Sequence, residues 1–212
     1  MSTTVSAGST APDRAYRWLK ERIEAVPRQE ELFLTETEIA AASGTSRTPV
    51  REALLRLEAE GFVRRIPHKG AYIPSMSDAE VLKLMQARQV IEEWAVREIA
   101  SNLIPVMDGL DALVARQREA QDDPVGFISI DVEFHQALIS AAGNPLFHGF
   151  YASLRGRQMR AGVRAVSLDQ TRSGVVLTEH QNIVTALRTG DPDTAARAVR
   201  AHLQTTVEAM TR

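Results

Sequence analysis

The 212 residues include no cysteine. Disulfides and thiolate metal sites are therefore excluded, which fits a reducing, cytoplasmic setting. Long apolar runs are also missing. None approaches the roughly 20 residues needed to span a bilayer, so no membrane partner is expected. Met1 to Thr10 has neither the basic nor the apolar region of a signal peptide and reads as a disordered tail over 1–10. The formal net charge is only −2, which excludes a globally basic coat for nucleic acid. There is no internal repeat.

The charge that is present is unevenly placed. Between Thr45 and Gly70 stand six Lys/Arg (47, 51, 56, 64, 65, 69) against three Glu (52, 58, 60). A confined basic stretch in a neutral chain is the footprint of a local DNA-binding face. At its centre is Ser46-Arg47-Thr48-Pro49-Val50-Arg51-Glu52-Ala53-Leu54-Leu55-Arg56-Leu57. Pro49 suits a first helical position, with Thr48 or Ser46 as cap. Val50, Leu54 and Leu57 fall at i, i+4, i+7 and form one apolar stripe. Arg47, Thr48 and Arg51 crowd the N-terminal end, off that stripe. Cations there oppose the helix dipole, so helix stability does not explain them. Phosphates and base edges facing that end would.

The flanks of this recognition helix fit a winged helix-turn-helix. Asp13 to Ala25 is amphipathic. Leu34 to Ala42 reads as a short helix with Thr35 and Glu38 spaced as a capping box, and Gly44-Thr45 as the tight turn. Gly61 closes the recognition helix. Phe62 to Ile66 and Ala71 to Ile73 read as two strands joined by Pro67-His68-Lys69-Gly70, a hairpin wing with a basic tip. Pro74 and Ser75 mark the boundary. The predicted DNA-binding domain thus spans 11–75, with three helices and a small β-hairpin.

The ordered motif Ser46 to Leu54, then Glu60-Gly61-Phe62-Val63, then Lys69-Gly70, resembles the GntR family of bacterial transcription regulators. The resemblance implies that Arg47, Thr48 and Arg51 contact operator DNA and that His68 and Gly70 lie against it. Ser46 and Lys69, at the cap and the wing tip, complete the expected DNA-binding set. Two departures stand out. Thr37 occupies a position where many relatives carry Arg, and Pro27-Arg28-Gln29-Glu30-Glu31 replaces the usual Pro-Gly.

From residue 77 to 212 every signal is helical. Ser77 with Glu80 forms a capping box, and Pro105, Asp123-Pro124, Asn144-Pro145 and Asp191-Pro192 punctuate further starts. Six helices are predicted, at about 78–101, 105–121, 124–142, 145–162, 171–189 and 192–210, forming a mainly α, antiparallel six-helix bundle.

Polar residues interrupt its apolar stripes. Arg88 lies between Met85 and Ile91 on the inward face of the first helix. A buried Arg needs an anionic partner. That partner is either an acidic side chain in an internal salt bridge, for example from another helix, or the carboxylate of a bound ligand. Asp131 and His135 lie four apart on one helix, so they point the same way. His180 and His202 stand ten and eleven residues from the Gly190-Asp191 turn on either side, at equal height in an antiparallel pair. Three imidazoles and a carboxylate suit a divalent first-row ion. Hydrogen-bonded core histidines are the other reading.

Asp131 to Leu138 with Ala142-Gly143-Asn144-Pro145-Leu146, Glu179 to Ile183 with Gly190-Asp191, and Ala201-His202-Leu203 resemble the FCD effector domain of the FadR branch of GntR regulators. The resemblance implies a metal held by the four residues (Zn first, with Ni, Mn or Fe as alternatives) and a small organic acid whose carboxylate meets Arg88. Six helices would place the chain in the VanR-like subgroup. The expectation is a ligand-responsive regulator, a homodimeric repressor that an acid releases from its double-stranded operator. Two rivals stand beside it: a metal-dependent enzyme using the Asp/His3 site, and a regulator whose metal is purely structural.

Overall fold

Thr10 begins the described chain as a helix cap, its hydroxyl accepting from the Asp13 N–H. The computed structural model describes residues 10–169 and 171–211. Residues 1–9 of the tail expected over 1–10 lie outside the described residues. The chain divides between Ser75 and Met76 into two compact units.

The first unit holds α1 (Ala11–Glu24), β1 (Leu32–Thr35), α2 (Glu36–Ser43), α3 (Arg47–Ala59), β2 (Arg64–Ile66) and β3 (Gly70–Ile73). Leu19 and Ile23 of α1, Ile39 of α2 and Val50, Leu54 and Leu57 of α3 are buried together. The stripe predicted on the recognition helix is therefore its core face. Gly44, at φ 62°, makes the left-handed turn between α2 and α3.

The sheet has three antiparallel strands in the order β1-β3-β2. The wing hairpin is present, but Leu34, expected in a helix, lies in β1. The capping box gives the reason. Thr35 caps α2 in an extended conformation (φ −77°, ψ 152°), so residues before it cannot be helical. Leu34 pairs with Ala71, and Thr35 with Gly70. Gly70 fits because it has no side chain: a Cβ there would sit 1.9 Å from the Leu34 carbonyl oxygen.

The second unit holds α4 (Asp78–Ser101), α5 (Met107–Glu119), α6 (Pro124–Ala141), α7 (Pro145–Ser153), α8 (Arg155–Leu168), α9 (Arg172–Arg188) and α10 (Pro192–Met210). The caps at Ser77, Asp123, Asn144 and Asp191 all accept backbone N–H bonds. The predicted helix 145–162 differs. It is divided at Leu154, whose N–H bonds Tyr151 O three residues back, and it runs on to Leu168, so the described residues of the bundle form seven helical segments rather than six. The i→i−3 bond tightens the turn there and re-aims the chain. No Pro marks the break, and Gly156, two residues on, is itself helical. Helix α5 starts at Met107, two residues after Pro105.

Helix α10 runs antiparallel to α4, with Arg97 joined to Asp193 and Arg200 to Glu93. It also pairs antiparallel with α9 through the Gly190 turn, with Glu179 reaching His202 and Thr205. Phe127, Phe134, Leu138, Ile183, Val199 and Leu203 fill the space between.

Candidate metal centre and DNA-reading face

Four buried side chains converge inside the helical unit. Helix α6 supplies Asp131 and His135, one turn apart on its inward face. Helix α9 supplies His180, and α10 supplies His202. One ligand atom from each lies within 4.8 Å of every other. The His180 and His202 ring centroids are 4.9 Å apart, at the equal height that the helix register predicts. His180 stacks flat on Phe134, at 4.1 Å between centroids and 8° between planes.

Two hydrogen bonds and one close carboxylate contact set which nitrogen each ring offers. His180 Nδ1 lies 2.8 Å from Gln117 Oε1, His202 Nδ1 lies 2.9 Å from Glu179 Oε2, and His135 Nδ1 lies 2.7 Å from Glu92 Oε2. All three neighbours are acceptors, so each Nδ1 carries the proton. Gln117 is oriented by its own amide, which donates to Phe127 O. The three Nε2 lone pairs therefore point inward. His135 Nε2 and His202 Nε2 stand 3.1 Å apart. His180 Nε2 stands 3.3 Å from Asp131 Oδ1, and His135 Nε2 stands 4.0 Å from Asp131 Oδ2.

Lone pairs facing one another at this range repel unless a proton or a cation lies between them. Donors bound to one first-row ion at about 2.0–2.2 Å stand roughly 3–4 Å from each other. The nearest pairs stand at that spacing, 3.1 to 4.0 Å, and all four ligand atoms lie within 4.8 Å. Burial pushes the His180 imidazolium well below its ordinary pKa, and the nearby His202 and His135 add to this. Burial also lowers His202, against the opposing pull of Glu179. Neutral imidazoles are the form that binds a metal. The donor set fits a divalent ion.

Arg88 takes its place in a network behind His135. It is 1% exposed, and its Nε donates to Glu92 Oε1 at 2.7 Å. The internal salt bridge is thus made within its own helix, one turn on, rather than to another helix. The Arg88–Glu92 spacing of four residues was the available signal. The Tyr151 hydroxyl donates to the same Oε1 at 2.6 Å. Burial raises the Glu92 pKa, but the Arg88 guanidinium and His135 outweigh it and hold the carboxyl below its usual range. Arg88 Nη2 is buried with no hydrogen-bond partner. Arg155 donates to Ser129 at 2.9 Å, and Arg160 is buried.

In the other unit, the N-terminal end of α3 presents Ser46, Arg47, Thr48 and Arg51, all exposed. Ser46 is the N-cap, yet neither it nor Thr48 makes a side-chain cap bond. The wing tip carries exposed His68, at φ 61°, and exposed Lys69, while Gly70 is buried under β1. Two residues of α2 hold the arginines: Thr37, noted in the sequence only as a departure from its relatives, and Glu36, which the sequence did not single out. Thr37 Oγ1 accepts from Arg47 Nη2 at 3.1 Å. Both carboxylate oxygens of Glu36 accept from Arg51 Nε at 3.0 Å.

The family of bacterial regulatory proteins named gntR matches residues 12–73, and the FCD domain matches residues 83–205. The chain belongs to the GntR family, with an FCD domain. This GntR regulator is 32% identical over 173 residues to an uncharacterized HTH-type transcriptional regulator of Streptomyces ambofaciens, covering 81% of this chain and 72% of the relative. It is 32% identical over 178 residues to the HTH-type transcriptional repressor RspR of Escherichia coli K12, covering 81% and 76%. The solved structure of E. coli McbR/YncC shares its fold with a TM-score of 0.81 at 19% identity, over 95% of this chain and 97% of that one. A GntR regulator from Rhodococcus sp. RHA1 does so at 0.80 and 22%, over 94% and 96%.

GntR-family members bind operator DNA, and the relatives are regulators rather than enzymes, which sets aside the metalloenzyme rival. No described helix is long and apolar enough to cross a membrane.

Proposed function

We propose that this GntR regulator is a cytoplasmic, homodimeric repressor whose hold on operator DNA responds to a small carboxylic acid bound in the FCD domain. One observation carries the reading. Three buried imidazoles set their Nδ1 atoms against Gln117, Glu179 and Glu92 and turn their Nε2 atoms toward one another and Asp131. A core that needed only packing would not gather that set.

Asp131, His135, His180 and His202 would hold a divalent ion, Zn first among the ions that accept imidazole and carboxylate together. A bound ion supplies a Lewis-acidic anchor for a carboxylate oxygen. Arg88, through the buried and unpartnered Nη2, meets the same ligand as a charge-assisted donor. The acid must favour one of two global states of the dimer, because only differential binding shifts an equilibrium. Ser46, Arg47, Thr48 and Arg51 enter the major groove, and His68, Lys69 and Gly70 bring the wing to the backbone. The relatives named repressors support the sign of regulation.

Two measurements test this. Arg51→Ala abolishes specific operator binding and leaves metal content intact; loss of both together points to unfolding and removes the support. A thermal-shift screen against small carboxylic acids is run metal-replete and after chelation. An acid that raises the melting temperature only when metal is present makes the cluster its binding point. A chelation-sensitive melting temperature with no acid effect reduces the metal to a structural role.

A further inference from the structure

We infer that Glu36 is a positioning residue for DNA sequence reading: it clamps one edge of Arg51 so that the other edge is presented, pre-aligned, to a guanine in the major groove. The inference rests on the proposed placement of α3 in that groove.

The observation is the side of the guanidinium that Glu36 occupies. The carboxylate oxygens accept from Arg51 Nε, both at 3.0 Å, and Oε2 also lies 2.9 Å from Nη2. This takes up the Nε–Nη2 edge. The Nη1–Nη2 edge is left, and the Arg51 side chain is 48% exposed while that of Glu36 is 9%. That remaining fork matches guanine O6 and N7, the commonest specific contact of arginine with DNA.

Glu36 is itself held rigidly. It is the first residue of α2, behind the Thr35 capping box, and its backbone N–H donates to the wing-tip carbonyl of Lys69 at 3.1 Å. Arg51, Arg47 and His68 are the charged or titratable groups around it, and together they hold its carboxyl below the usual range, the Arg51 hydrogen bond most of all. Thr37, the next residue, steers Arg47 in the same way.

Two simpler roles explain the pair less well. As an affinity device it works backwards, because a carboxylate beside Arg51 weakens the pull on phosphate. As a brace between α2 and α3 it is redundant, since Ile39, Val50 and Leu54 already pack those helices together. What a clamp adds is orientation: arginine has large rotamer freedom, and restraining it beforehand favours the one geometry that reads a base.

The test selects binding sites for the full-length native protein from a pool of randomised duplex DNA, then repeats the selection with Glu36→Gln, Arg51→Ala and the double variant. The expected result is a guanine in each native half-site that fades at the same position in both single variants. At that position Glu36→Gln lowers discrimination about tenfold, and in the Arg51→Ala background it has no further effect. With scrambled DNA, Glu36→Gln binds no more weakly than native, and its salt slope steepens by up to about one phosphate equivalent as Arg51 is freed. Glu36→Asp separates orientation from charge. It keeps the charge but shortens the reach by one carbon, so discrimination falls with the salt slope unchanged. It also carries the test if the Gln variant fails to fold. Equal weakening on every sequence, or unchanged discrimination in both Glu36 variants, overturns the inference. Failure of the native protein to enrich any site would instead sink the DNA-reading proposal beneath it.

Discussion

Replacing Glu92 by Gln changes the buried network by little more than one atom, and the consequence can be worked from the contacts. The carboxylate meets three groups: Arg88 Nε at 2.7 Å and the Tyr151 hydroxyl at 2.6 Å on one oxygen, and His135 Nδ1 at 2.7 Å from the other. An amide offers one oxygen and one NH2. With the NH2 toward Arg88 it faces the obligatory Nε donor; with the NH2 toward His135, that ring must move its proton from Nδ1 to Nε2 to accept it. A buried donor left unsatisfied costs roughly 1–3 kcal/mol. Arg88, 1% exposed, also loses its countercharge. Breaking a buried pair from one side costs about 3–5 kcal/mol. We expect Glu92→Gln to destabilise the helical unit by about 4 kcal/mol. Adding Arg88→Met removes the uncompensated charge, and the double variant should recover about 2 kcal/mol of that loss.

The chain has two tryptophans, so a Trp18→Phe background leaves Trp94, packed edge-on against Phe147 at 4.7 Å, to report this unit alone. Urea unfolding in chelator removes any contribution from metal binding. A double variant less stable than Glu92→Gln, or a single-variant cost under about 1 kcal/mol, would refute the argument that the network is held by charge pairing.

Three further outcomes follow from the geometry. His180 and His202 have pKa values lowered by burial, so the unfolded chain binds more protons than the folded one below the ordinary histidine value of about 6.5. Their stabilising effect is present above that pH and is lost on acidification; metal-free urea midpoints should fall between pH 7.5 and 5.5, and a rising midpoint would contradict the assignment. Glu179→Gln loosens the orientation of His202 and should weaken metal affinity about 10–100-fold, read by chelator competition. Gly70→Ala places a Cβ 1.9 Å from the Leu34 carbonyl oxygen, so the DNA-binding unit should lose more than about 2 kcal/mol by Trp18 fluorescence.

The elements themselves were largely local information. Capping residues at Thr35, Ser77, Asp123, Asn144 and Asp191 satisfy backbone groups within three residues, so helix starts can be read from short segments. The apolar spacing of Val50, Leu54 and Leu57 identifies a core face for the same reason. The facing of His180 and His202 follows from helix pitch and one turn at Gly190. The division at Leu154 was not legible, because no proline marks it and the nearby Gly156 continues the helix. Pairing of β1 with β3 was equally hidden, since it joins residues far apart in sequence.

What the tertiary structure alone decided is which polar groups meet. Glu36 reads as an ordinary residue of a helix start, and Thr37 only as a missing Arg, until α3 folds back and sets Arg51 and Arg47 against them. Gln117, Glu179 and Glu92 come from three helices, and nothing in their local spacing says that each receives a histidine Nδ1 proton. The sequence determined the donors, their helices and the faces on which they stand, because helix periodicity is a property of neighbours. The protonation and direction of each donor were settled only by contacts across the bundle, because a hydrogen bond depends on distance and angle rather than on position along the chain.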